Sequence, residues 1–257
     1  MRILAVGDLV GKSGVAKLKS DLSKIVNENN VDFIIVNGEN AADGMGLIQK
    51  QYNDIIALGV DVITMGNHTW GKKEIFNFID EEQIIRPANY SDNNPGKGYV
   101  IRTCKNGKKV AVINLIGRVT MNILSENPFL VAKKIVDEIR SKVDIIVIDM
   151  HGEATAEKKA LLCYLDGKVN IIFGTHTHVQ TADETITEKG TGFITDIGMT
   201  GPINSVIGMD IETSIKRFET GLPEKYRVAD GDSKLDSVLF TLDDNTNKVV
   251  DIKRINI

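Results

Sequence analysis

The chain has 257 residues, 42% of them hydrophobic and 26% charged, with a formal net charge of −4. This length can bury a full core within one α/β domain over residues 1–257, and the composition excludes a largely disordered chain. The acidic balance argues against strong electrostatic binding of nucleic acid, which needs a basic face, but leaves room for a nucleotide at a metal centre.

Short apolar runs alternate with amphipathic ones along most of the chain. Arg2–Val6 predicts a strand, and 13–29 a helix with Val15, Leu18, Leu22, Ile25 and Val26 on one face and Ser13 as N-cap. A strand over 32–37 and a helix over 49–58, closed by Gly59, come next. A third strand over 60–65 precedes a helix over 72–79, and the polar stretch 80–97 reads as a surface loop. Then Tyr99–Thr103 and 109–115 flank Lys105-Asn106-Gly107-Lys108, a hairpin signal that interrupts the βαβ rhythm. Helix 129–141, strand 143–149, helix 156–165 and strand 169–173 resume it. The last third predicts strands at 184–186, 192–196, 237–242 and 249–255, with one helix over 210–218. The sum is an α/β fold of two mixed β-sheets packed face to face, with helices on the outer faces.

Five predicted strands stop at a small or polar residue and then present metal-binding side chains: Asp8; Glu39 and Asn40; Asn67 and His68; His151; His176 and His178. All four histidines of the chain are in this set. Loops at the carboxyl ends of parallel strands form one crevice, so these residues should converge. Carboxylates, amides and imidazoles without thiolates suit divalent iron, manganese or zinc. In an extended segment His176 and His178 would face the same side. Asn67 and His68, being adjacent, point in different directions, so one can ligate metal while His68 serves as a general acid or as a hydrogen-bonded structural imidazole. Divalent metal held by such residues would polarise a phosphodiester and make hydroxide available near neutral pH. Gly7-Asp8-Leu9-Val10-Gly11-Lys12-Ser13 has three residues between its glycines where a phosphate-binding loop needs four, and Asp8 would oppose a phosphate. Trp70 reads as packing the loop wall.

The ordered motifs Gly-Asp, Gly-Glu-Asn, Gly-Asn-His, His-Gly and Gly-Thr-His-Thr-His resemble the calcineurin-like metallophosphoesterases. Met65-Gly66-Asn67-His68-Thr69-Trp70 and Asp196-Ile197-Gly198-Met199-Thr200-Gly201 make the chain more closely similar to the YmdB-type family of that group. The wider group usually begins with Asp-x-His and carries Gly-Asp at the second strand; here Asp8-Leu9-Val10 and Gly38-Glu39 stand instead, as in YmdB-type proteins. The resemblance implies two transition-metal ions per chain, iron foremost. Asp8, Glu39, Asn40 and His178 would hold one, and Glu39, Asn67, His151 and His176 the other, with Glu39 bridging. Asn40 would make up for the histidine missing at Val10. His68 would be the proton donor, a metal-bridging hydroxide the nucleophile and a cyclic nucleotide, 2′,3′-cyclic AMP foremost, the substrate.

Two rival readings use the same residues: a non-catalytic metal- or nucleotide-binding regulatory protein on this fold, and a metal-dependent amide or ester hydrolase. Two scattered cysteines, Cys104 and Cys163, a start directly on a strand, and no apolar run of membrane length predict a cytoplasmic protein without a membrane partner. A homo-oligomer is compatible with the sequence.

Overall fold

A computed structural model describes all 257 residues. In chain order the first half contains β1 (Arg2–Val6), β2 (Asp8–Leu9), α1 (Gly11–Asn29), β3 (Phe33–Asn37), α2 (Gln49–Ile56), β4 (Val62–Thr64), β5 (Ile84–Ile85), β6 (Tyr99–Thr103) and β7 (Lys109–Ile116). Then follow α3 (Pro128–Ile139), β8 (Ile145–His151), α4 (Thr155–Leu165), β9 (Ile171–Thr175), β10 (Thr185–Ile186) and β11 (Gly192–Ile194). The chain closes with β12 (Met199–Pro202), α5 (Ile211–Thr220), β13 (Ser233–Leu242) and β14 (Val249–Asn256).

One sheet runs β2-β12-β13-β1-β3-β4-β5, with β14 also on β13; the other runs β10-β11-β9-β8-β7-β6. β1, β3, β4 and β5 are parallel, as are β7, β8, β9 and β11. Strand periodicity explains the layering. Leu4 and Val6 pack on Leu18, Leu22, Ile25 and Ile55 of the helices, whereas Ile3 and Ala5 join Val110, Val112, Val147 and Phe173 between the sheets. Ala111, Ile113, Ile146 and Ile148 point the other way, under Val136, Ile139, Leu161 and Leu165. Each fully buried Val, Leu, Ile or Phe among them contributes about 1.5–3 kcal/mol. The result is the expected helix–sheet–sheet–helix sandwich. No helix is long and apolar enough to cross a membrane.

Local expectations need correction in several places. Helix α1 begins at Gly11, its N-cap is Val10, and no side chain caps it, so Ser13 lies inside the first turn. The cause is tertiary: Val10 is held by the Thr200 carbonyl at 2.8 Å, and Gly11 at φ +65° turns the chain straight into the helix. Helix α2 stops at Ile56, and Gly59, at φ +90°, ends the turn that follows. The helix expected over 72–79 is one 3₁₀ segment, Lys73–Asn77. The stretch 80–97 is not a plain surface loop. It carries β5 and a buried Arg86, whose guanidinium donates to the carbonyls of Pro87, Pro95 and Asn94 at 2.8, 3.0 and 3.1 Å. Strands β2, β5 and β12 are too short for a period to reveal them.

Candidate metal centre

Three strands of the first sheet and two of the second deliver side chains to one edge of the sandwich. β1 leads to Asp8, β3 to Glu39 and Asn40, and β4 to Asn67 and His68. β8 ends on His151, and β9 leads to His176 and His178. Parallel pairing within each sheet aligns these ends on one side.

Glu39, 1% exposed, lies at the middle of the cluster. Its Oε1 stands 3.1 Å from His151 Nε2 and accepts from Asn40 Nδ2 at 3.2 Å, while Oε2 accepts from the His68 amide at 2.8 Å. His151 Nε2 is also 2.8 Å from Asn67 Oδ1 and 3.1 Å from His176 Nδ1. The ligating atoms of Glu39, His151 and His176 all lie within 4.8 Å of one another. On the other flank, Asp8 accepts from the His176 amide at 3.2 Å, and its Oδ1 is 3.8 Å from His178 Nε2. That nitrogen lies 3.1 Å from Asn40 Nδ2. The eight residues read from the strand ends therefore share one cluster.

Each of three imidazoles anchors one nitrogen to the protein and turns the other inward, the arrangement metal-ligating histidines adopt. His178 Nδ1 donates to the Ile207 carbonyl at 2.7 Å. His151 Nδ1 donates to Thr175 Oγ1 at 2.9 Å, and that hydroxyl donates to Asp149 Oδ1 at 2.7 Å. His176 Nε2 faces Glu153 Oε2 at 3.3 Å. Asp8 Oδ1 is buried without any hydrogen-bond partner. An orphaned carboxylate oxygen is costly, and a cation is the partner this donor set fits.

The electrostatics agree. Burial pushes the Asp8 carboxyl up to about 6, opposed by His178 and His151. Burial also disfavours charge on Glu39, but His151 and His68 outweigh it and hold the carboxyl below the usual carboxylate range. Burial pulls His151 down, yet Glu39 prevails and raises it to about 9. His176 is pushed down to about 3 by burial and then by the His151 charge. A proton on His151 Nε2 thus sits among Glu39 Oε1, Asn67 Oδ1 and His176 Nδ1, acceptors gathered about one positive charge.

The YmdB-like protein family matches residues 4–255. The chain belongs to that family. It is 50% identical to the 2′,3′-cyclic-nucleotide 2′-phosphodiesterase of Bacillus subtilis strain 168, over 99% of this chain and 96% of that protein. The crystal structure of a hypothetical protein from Thermus thermophilus is similar at TM-score 0.94 and 36% identity, covering 100% of this chain and 99% of that one. A crystal structure described as a novel phosphatase from Mycoplasma pneumoniae has TM-score 0.94 and 38% identity, covering 100% and 93%.

In this YmdB-like chain the His176–His178 segment departs from the extended geometry expected of it. His176 has φ +101° and His178 φ +62°, so the loop coils, and positive backbone angles rather than strand alternation bring both rings to the cluster. Thr175, Asp149 and the buried Lys158, which donates to the Thr175 carbonyl at 2.8 Å, support the cluster unseen in the sequence, because a lysine in a helix and a threonine or aspartate at a strand end carry no signal of burial. Thr64 and Asn37 also donate to Asp149 Oδ2, at 2.5 and 3.4 Å. Trp70 does pack the wall, stacking on Phe76 with centroids 5.4 Å apart.

Proposed function

We propose that this protein is a metal-dependent phosphodiesterase that hydrolyses cyclic nucleotides, 2′,3′-cyclic AMP foremost. The reading rests on the meeting of Glu39, His151 and His176 within 4.8 Å beside the unpartnered Asp8 Oδ1. Similarity to the Bacillus subtilis phosphodiesterase over 99% of the chain supports the reaction class. Asp8, Glu39, Asn40 and His178 would hold one ion, and Glu39, Asn67, His151 and His176 a second, with Glu39 shared. Iron is favoured by the family resemblance, and manganese or zinc also suit mixed nitrogen and oxygen donors.

Such ions, when bound, supply electrophilic stabilisation of phosphoryl oxygens and lower the pKa of water towards about 7. The chain's own residues do the rest. Asp149, through Thr175, fixes the tautomer and plane of His151, and the Ile207 carbonyl does the same for His178. His68 Nδ1 lies 2.6 Å from Asn40 Oδ1, an acceptor only, so its proton is held there and Nε2 is left without a protein partner. Burial lowers His68 below the ordinary histidine range, against the pull of Glu39. A ring so placed takes a proton at Nε2 and returns it to a departing alkoxide.

The test is turnover by protein reconstituted anaerobically with iron or manganese. Expected are cleavage of a chromogenic phosphodiester and of 2′,3′-cyclic AMP within a panel of cyclic mononucleotides, with an acyl ester left intact. Metal binding without turnover would instead support the regulatory reading, and ester cleavage the acyl hydrolase.

A further inference from the structure

The cavity over the centre, about 680 Å³, has two unlike sides. One carries the amides, imidazoles and carboxylate already described. The other carries the cavity's larger apolar groups, Met45, Ile207, Phe218 and Tyr226, with Ser214, Arg217 and Glu224 among them. Three of these are solvent-exposed in the protein alone: Phe218 at 82%, Ile207 at 50% and Met45 at 41%. They come from separate elements: the loop after β3, the connection between β12 and α5, the last turn of α5, and the segment beyond it. A large aromatic and two aliphatic groups bared around one polar centre mark a ligand surface rather than a scatter of surface residues.

The backbone is distorted to build this side. Ile207 has φ +47°, a left-handed conformation that a β-branched side chain strongly disfavours. That conformation lets its carbonyl hold His178 Nδ1 at 2.7 Å while the side chain lines the cavity. Gly44, at φ +78°, makes way for Tyr226, since a Cβ there would lie 2.0 Å from Tyr226 Cε1. Ile207 is thus shared between the ligand shell and the apolar side.

We propose that Phe218, Ile207, Met45 and Tyr226 form a nucleobase site. The base of a cyclic nucleotide packs on Phe218 and Ile207, while its phosphate faces the Glu39–His151–His176 centre. This rests on the phosphodiesterase reading and adds to it a reason for the substrate to be a nucleotide rather than any small phosphodiester. The volume lies within the ~300–1,000 Å³ typical of sites for ligands of this size. Contact is with the ring face, so purine nucleotides gain more than pyrimidine ones.

The test compares Phe218→Ala and Phe218→Trp with the unaltered holoenzyme on 2′,3′-cyclic AMP and on methyl riboside 2′,3′-cyclic phosphate, which has no base. Phe218 is exposed, so its truncation leaves the core intact. The alanine variant should raise KM for 2′,3′-cyclic AMP about five- to twentyfold, the lower part of the range for loss of base–aromatic stacking, with kcat little changed. The base-free substrate should be unaffected, and the tryptophan variant should restore KM. An unchanged KM for 2′,3′-cyclic AMP, or an equal rise for both substrates, would overturn the base site. If the unaltered enzyme cleaves neither substrate, the phosphodiesterase reading fails on its own. Calorimetric binding of adenosine 3′-monophosphate to metal-loaded protein then decides: weaker binding by Phe218→Ala supports the base site, and equal or no binding refutes it.

Discussion

His68 and Glu39 touch through the His68 backbone amide, which donates to Glu39 Oε2 at 2.8 Å. Truncating the His68 side chain leaves that bond in place, whereas truncating Glu39 removes the carboxylate that both proposed ligand sets would share. His68→Ala should therefore keep its metal, measured by elemental analysis, and lose about 10²–10⁴-fold in turnover of a substrate with a poor leaving group. The loss should be smaller for a nitrophenyl phosphodiester, whose nitrophenolate needs little protonation on departure. Glu39→Ala should lose metal and activity together. Equal losses for both leaving groups, or metal release by His68→Ala, would return His68 to a structural role. The clustered residues were readable because each followed a short apolar run, and the four histidines left few other choices. Thr175 and Asp149 were not, since their importance lies in a chain of hydrogen bonds between neighbouring strands.

The loop after β9 shows what an element adds to its residues. Lys158 of α4 is wholly buried and donates to the Thr175 carbonyl at 2.8 Å and to Asp196 Oδ2 at 2.9 Å. Asp196, equally buried, accepts from the Thr177 amide at 3.1 Å. A helix, a strand end and the coiled histidine loop are joined by this one ion pair. Lys158→Met leaves a buried carboxylate without its counter-charge, so stability should fall by about 3–5 kcal/mol in denaturant unfolding. Metal affinity should weaken as well, because Thr177 lies between His176 and His178. A variant as stable as the parent, with unchanged affinity, would show that the backbone amides alone hold the loop. The amphipathic pattern located α4 to within a residue of its start, but it could not show that its lysine points inward.

Across the whole molecule, the first sheet supplies Asp8, Glu39, Asn40, Asn67 and His68, and the second supplies His151, His176 and His178. An ion held by both sets would bind only the folded sandwich, so it should stabilise the protein against global unfolding. At a hundredfold excess over Kd the gain is about 2.7 kcal/mol per site. Thermal unfolding with added manganese should shift upward, saturating near two equivalents per chain, with no shift for Glu39→Ala. A plateau at one equivalent would reject the paired centre, and no shift at all would reject metal binding.

By itself the sequence determined the layering and the identity of the clustered side chains. Both follow from short-range rules: apolar residues alternate with period two in strands and about 3.6 in helices, and polar residues collect where strands end. Only the tertiary structure decided three other matters. β2 exists because β12 lies beside it, and with it α1 starts two residues early. Arg86 is buried because three carbonyls from its own loop surround it. Ile207, His176 and His178 take positive φ because contacts from other elements hold them there. Such features arise from partners distant in the chain, and no local pattern records a partner whose position is set only when the two sheets close on each other.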